Sequence, residues 1–368
     1  MPSHYSPTAH TALSRRTLLA TGAGVGAALA VGTPARAAEP RPTRRTLYVD
    51  PAGRGDHTTV QSAVNAASGT GWTLVLAPGT YRETVTVPES SSGLTLIGAS
   101  GDPRDAVIVY DNAAGTPKPD GSGTYGTSGS ATTTVRAAGF TAHALTFAND
   151  WLRDEHPDYT GTQAVALKAT GDRSAFFRCR FLGHQDTLYA DTADLGSFAR
   201  QYFSDCYVEG DVDFVFGRAT AVFEHCRFHT LTRSDLASAP YGFVFAPSTA
   251  VANPRGYLVT RGRVTSGAPD AYYKLARPWV PSSDTTARPM LTVRDTHLGR
   301  GIDPVAPYAN MRDAYPWQAQ RFAEYRNKGP GAVVTAPANR PQLTRAQAES
   351  ATRATYLRDW KPPRDGRL

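Results

Sequence analysis

An all-β solenoid, a parallel β-helix, is the fold this 368-residue sequence predicts. Three observations lead there. Short runs rich in Val, Phe, Tyr, Leu and Thr follow one another from Leu47 onward, separated by Gly, Asp, Asn and Pro, as strands are. Helical periodicity is confined to residues 60–67 and 345–356. A loose repeat also runs through the middle of the chain: an aromatic, two or three residues, Cys, one residue or none, and another aromatic. It occurs around Cys179, Cys206 and Cys226, and residues 143–147 fit the same frame with Leu145 in the cysteine's place. The central residues lie 34, 27 and 20 positions apart, the range of solenoid repeats. Strand-rich units without intervening helices stack as coils, each adding one strand per sheet, with equivalent residues about 4.8 Å apart.

In chain order, strands are expected over residues 74–76, 94–97, 107–110, 164–167, 176–181, 202–208, 222–228 and 257–264. The uneven repeat implies loops of different length at the turns. Two long ones are residues 112–130 and residues 151–161, the second placed to wall a cleft. The first contains a formal GxGxxG (residues 121–126), but neither the preceding strand nor the following helix of a dinucleotide site is there. The three cysteines form neither a disulfide framework nor a zinc pattern, and read as an inward stack of small apolar side chains.

Composition bounds the rest. With 40% hydrophobic and 19% charged residues the chain can bury a large core. The formal charge of +7 is concentrated at the ends: Arg15, Arg16 and Arg36 in residues 1–37 without an acid, and seven basic against three acidic residues in 340–368. No basic stripe interleaved with aromatics, the footprint of a nucleic-acid binder, is expected. Residues 14–19 (SRRTLL), a 14-residue apolar run from Leu18 to Val31 and the small-x-small Ala35-Arg36-Ala37 predict a cleaved export signal of twin-arginine type and a secreted protein, free of the membrane after cleavage. The expected organisation is a signal over 1–37, a catalytic β-helix over 38–340, and a basic tail or short helix over 341–368. A monomer is expected.

Three polar-dense runs stand out from the strand background: TQAVAL (162–167), GHQDTLY (183–189) and GDVDFVFG (210–217). Gln163, Asp186 and Asp213 are separated by 23 and 27 positions, each near one coil, so the three side chains are expected on adjacent strands. Two carboxylates one strand apart cannot both ionise freely, so one stays protonated as an acid and the other charged as nucleophile or base. Asp213, among Val212, Phe214 and Phe216, needs a partner, and the guanidinium of Arg277 in LARPW (275–279) suits it. Gln163 and Gln185 are neutral donors fit to hold an oxyanion. Structural readings stand beside these: Asp186 as a turn cap, and Asp213 with Arg277 as a buried ion pair. No G-x-S-x-G elbow and no HExxH occurs, so neither a serine hydrolase nor a metal hydrolase is expected.

Six runs in order, GTYRE (79–83), QAVAL (163–167), GHQDTLY (183–189), VDFVFG (212–217), LARPW (275–279) and FAEYRNKGPGA (322–332), resemble the pectin methylesterases, or pectinesterases. That resemblance implies a right-handed parallel β-helix with long loops lining a groove. It also implies hydrolysis of galacturonate methyl esters in pectin, without metal or other cofactor. Carried over by position, Asp213 is the nucleophile, Asp186 the acid and base, Gln163 and Gln185 the oxyanion donors, and Arg277 the nucleophile's partner. Tyr189, Phe216 and Trp279, with Val212 beside the nucleophile, fall along the sugar groove. Ala276 replaces the usual Gly of the LGRPW run, and His184 stands where an aromatic or Asn is commoner. The alternatives are an esterase or thioesterase of the same superfamily acting on another ester, a glycosidic-bond enzyme of the same fold, and a solenoid that only binds cell-wall polysaccharide.

Overall fold

The computed structural model describes residues 45–363 and residue 365, and the predicted export signal lies outside them. Among the described residues, twenty-five short strands form three sheets of ten, eight and seven strands. Every ladder is parallel, and each full coil adds one strand to each sheet in a fixed order. Ser174–Phe177, Arg180–Leu182 and Leu188–Ala190 are one such coil, lying on the first (ten-stranded), second (eight-stranded) and third (seven-stranded) sheets. The chain is a parallel β-helix, as predicted. Its interior is built from register: Phe176, Phe203 and Phe223 are Cα partners on successive coils, and their rings stack at 4.9 and 4.7 Å.

The repeat read around the cysteines is real but its frame shifts in one coil. Inward positions are three residues before and two after the central residue, which gives Phe176 and Phe181, Phe203 and Val208, Phe223 and Phe228. Tyr202 and Tyr207, the aromatics of the Cys206 frame, face outward instead, because a one-residue slip moves a strand side chain to the other face. Each run read as one strand across this corner is two. Arg178, Asp205, His225 and Arg261 take positive φ (51°, 55°, 57° and 54°) and turn the chain from the first sheet to the second. Ala144, Asp295 and Arg326 do the same, so seven consecutive coils share the device. The next residue points inward, and Leu145, Cys179, Cys206 and Cys226 make the expected column. All three thiols are free and buried, and burial pushes those of Cys179 and Cys206 well up, so these two stay protonated.

The ends of the solenoid are closed differently. Helix Val60–Ala66 buries Val60, Ala63 and Val64 against the first coils; Thr59 caps it, and the Glu83 carboxylate accepts from the Val60 and Gln61 amides at 2.6 and 2.9 Å. At the other end Arg340 (0% exposed) donates to Glu324 at 3.0 and 2.8 Å, and the Tyr308 hydroxyl also reaches Glu324. The described part of the segment expected as a basic tail or short helix packs on this fold. Helices Arg345–Glu349 and Arg353–Leu357, each capped by a Thr, replace the single predicted helix. Tyr356 and Leu357 pack with Phe177, Tyr202, Val222 and Leu258 on the outer face of the first sheet.

Candidate active site

The polar runs converge on the corner between the second and third sheets. Leu188–Ala190 and Val215–Gly217 pair in register, and two residues before each strand core stand Asp186 and Asp213. Both take positive φ, 65° and 51°, a region in which Asp is among the few side chains found with any frequency. The ladder continues through the turn, because the Asp186 amide donates to the Val212 carbonyl at 3.0 Å. The two carboxylates therefore occupy equivalent positions on adjacent coils, about 4.8 Å apart along the axis. Both reach one cavity of about 350 Å³, shared with Gln163, Gln185, Arg277 and Trp279. The strand predicted over 164–167 begins only at Leu167; the three residues before it run along the neighbouring coil, with Ala164 and Ala166 donating to the Gln185 and Thr187 carbonyls. Gly210 is required here: a Cβ would meet Phe214 Cβ at 2.3 Å and the His184 carbonyl at 2.5 Å.

The two acids differ in their partners. Asp213 (6% exposed) receives two parallel hydrogen bonds from Arg277, Nε to Oδ1 at 2.8 Å and Nη2 to Oδ2 at 2.6 Å. The Ala276 methyl is accommodated without disturbing this fork, and the guanidinium lies 4.0 Å from the Phe243 ring centre. Asp186 (7% exposed) has no side-chain hydrogen-bond partner among the described residues. Burial pushes its carboxyl well above the usual range, and the neighbouring Asp213 charge pushes the same way while Arg277 pulls back. Burial raises Asp213 as well, but the hydrogen bonds and charge of Arg277 oppose that rise. The pair is thus asymmetric: the Arg277 fork favours the charged form of Asp213, while no side chain hydrogen-bonds Asp186 among the described residues.

Donors and aromatics complete the cavity. The Thr162 hydroxyl donates to Gln185 Oε1 at 2.6 Å, which leaves the amide NH2 as that side chain's free donor. Gln163 has no side-chain partner among the described residues. Tyr189 and Phe216 stack at 4.1 Å, with Trp279 6.1 and 5.8 Å from them. Val212 is half-buried at the edge and does not line the cavity. Loop 151–161 does not line it either; the wall comes from Thr127 and Ser128 of the other long loop, with Met311 opposite. Polar loop composition concealed the first two, and nothing in the sequence marked Met311.

Loop 151–161 braces the site from behind. Arg153 donates to the buried Asp211 at 2.9 and 3.3 Å, and His184 Nδ1 lies 3.5 Å from the same carboxylate. Burial alone would raise Asp211; its contacts with His184 and Arg153 outweigh burial and hold it well below the usual range. The charge of this third carboxylate adds to the upward push on both cavity acids. It was missed because sequence spacing shows neither Arg153 nor its reach. Larger cavities occur elsewhere, one of about 530 Å³ under the C-terminal segment and one of about 410 Å³ on the corner between the first two sheets. Neither contains a carboxylate pair.

Comparison with known proteins agrees with this geometry. The profile of the family described as Pectinesterase matches residues 46–359. Pectinesterase 31 of Arabidopsis thaliana is 34% identical over 297 residues, 78% of this chain and 84% of the relative. Pectin methylesterase PemA from Erwinia chrysanthemi superposes with a TM-score of 0.77 at 32% identity, covering 87% of this chain and 99% of that one. A pectin methylesterase in complex with a hexasaccharide gives 0.76 at 31% identity, covering 86% and 98%.

Proposed function

The chain belongs to the pectinesterase family and is a carboxylic ester hydrolase, and from that premise we propose that it removes methyl esters from galacturonate in pectin through an aspartyl acyl-enzyme. The observation that carries the reading is the asymmetry of the two acids. Asp213, ionised in the Arg277 fork, is the nucleophile, and Asp186, protonated beside it, is the acid.

Asp213 attacks the ester carbonyl carbon, and the oxyanion is received by the free amide donors of Gln163 and Gln185. The carbon–methoxy bond then breaks as Asp186 gives its proton to the leaving oxygen, releasing methanol and leaving an anhydride on Asp213. Asp186, now charged, takes a proton from water as that water attacks the anhydride. The acyl–Asp213 bond breaks, Asp213 leaves as the carboxylate with Asp186 protonated again, and the galacturonic acid released gives its proton to solvent. Tyr189, Phe216 and Trp279 supply apolar faces for the sugar ring. A polymeric substrate too large to enter a cell accords with export through residues 1–37. In the test, highly methylated pectin is incubated with the protein while methanol, acid and viscosity are followed. Equal release of methanol and acid at constant viscosity is expected. Falling viscosity, or hydrolysis of simple esters with none of pectin, contradicts the reading.

A further inference from the structure

One row of side chains on the outer face of the second sheet, beside its corner with the first, carries three arginines, a lysine, a histidine and a tyrosine over six coils. Arg180, Tyr207, Arg227, Arg263, His297 and Lys328 are successive Cα partners, spanning about 24 Å at one strand spacing per step. The sequence predicts no basic stripe, and the fold corrects that reading: twenty to thirty-six residues separate neighbours in the chain, so only the register brings them together. Arg227, Arg263, His297 and Lys328 are exposed.

Acids lie close by but are engaged elsewhere. Glu224 pairs with Arg261 and Arg353, Glu209 accepts from the Tyr207 hydroxyl, and Asp295 pairs with Arg294 and lies 3.7 Å from Arg326. Among the described residues, no carboxylate lies within ion-pair distance of Arg180, Arg227, Arg263 or Lys328. Arg180 and Arg227 instead lie over the Tyr207 ring at 5.6 and 5.7 Å, and Arg227 Nε donates to Thr265. A cavity of about 410 Å³ opens here, lined by His225, Arg227, Arg261, Arg263, Thr265 and His297. Like charges directly opposite on paired strands destabilise a sheet, so the Arg227–Arg263 step is a cost that a bound anion would relieve.

We infer that this ladder is a second polysaccharide site, taking a de-esterified galacturonan chain by its regularly repeated carboxylates. It stands apart from the cavity of Asp186 and Asp213 across the second sheet: Arg180 opens the strand Arg180–Leu182, and Asp186 lies in the turn beyond the other end of that strand. The inference rests on the proposed activity, whose product is this polyanion. Bound there, the product would hold the enzyme on a polymer it has already worked while the groove engages another chain.

The test is binding of polygalacturonate at low salt by Arg227→Glu/Arg263→Glu, set against Arg345→Glu/Arg358→Glu, which changes net charge equally outside the ladder. The ladder variant is expected to lose about tenfold in affinity, with a weaker salt dependence, while the control loses far less. Fully methylated pectin should be bound equally by all. Equal losses in the two variants, undiminished binding by the ladder variant, or a preference of the wild type for an oligonucleotide of matched charge would overturn the inference. Methanol release from a short methylated oligogalacturonate, followed on the same samples, should be unchanged in both variants. Its absence from the wild type would refute the esterase reading, whereas the ladder stands or falls on binding alone.

Discussion

Two corners of the same coil use the same backbone device to different ends. Between the first and second sheets, seven consecutive coils turn on one residue of positive φ, and its identity is Ala, Arg, Asp, His, Arg, Asp or Arg. Between the second and third sheets that conformation occurs at Asp186 and Asp213, both carboxylates, and both reach the cavity. A left-handed residue costs of order 1–3 kcal/mol wherever it occurs. On the scaffold corner that cost secures a tight turn, and very different side chains serve, from the buried Ala144 to the exposed Asp205, His225, Arg261 and Arg326. On the corner proposed as catalytic the same turn brings two acids to one cavity, and there the side chain matters.

Substitutions at the two corners should separate these roles. The largest expected effect is at Asp213. Asp213→Ala should lower kcat on methylated pectin by about 10⁴-fold or more with the melting temperature nearly kept, as removal of a nucleophile does elsewhere; near-normal turnover would place the chemistry somewhere else. Asp186→Asn should lower kcat by 10²- to 10⁴-fold, the usual share of a general acid, and should also change stability with pH. Because the folded value of Asp186 is raised, the folded state keeps this proton longer than the unfolded chain does. Wild-type stability therefore falls as pH rises from the unfolded carboxylate value, about 3.9, through the folded one. The variant should gain in melting temperature over the wild type across that interval and hold the gain above it. A constant difference at all pH values would show that the Asp186 proton is not shifted.

The scaffold corner ends in its own ion pair, which should respond in the opposite sense. Glu324→Ala leaves Arg340 charged and buried, and denaturant unfolding should show a loss of about 3–5 kcal/mol, with kcat of the remaining folded enzyme unchanged. Thr162→Val should cost roughly tenfold in kcat with little change in KM, by releasing the Gln185 amide. The smallest effect is expected at His225→Gly, where relief of positive φ and the added freedom of the unfolded chain nearly cancel; stability should move by less than about 1 kcal/mol.

This contrast also explains what could be read from the sequence. The scaffold corner was legible because its interior demands a small residue once per coil, which left the cysteine column. Its exact frame was not, since Tyr202 and Tyr207 are as apolar to the eye as Phe203 and Val208, and only register tells which faces inward. The catalytic corner was legible as clustered Asp and Gln about one coil apart, and Arg277, 64 residues from Asp213, was named because a buried carboxylate requires such a partner. The brace was not. Arg153, Asp211 and His184 come together only when loop 151–161 folds back, and Thr127, Ser128 and Met311 carry no chemical signature of their own. Of the six motif runs, GTYRE and FAEYRNKGPGA are scaffold: Tyr81 donates to the Val49 and Ala77 carbonyls, Glu83 caps a helix, and Glu324 holds the buried arginine.

The central claim is that the two equivalent acids share one proton, held by Asp186 while Arg277 keeps Asp213 charged. Infrared difference spectra between wild type and Asp186→Asn, recorded near neutral pH, test it directly. The account predicts a protonated-carboxyl stretch in the wild type that disappears in Asp186→Asn. If the band persists there and disappears in Asp213→Asn instead, or if the wild type shows no protonated carboxyl at that pH, the assignment of acid and nucleophile is contradicted.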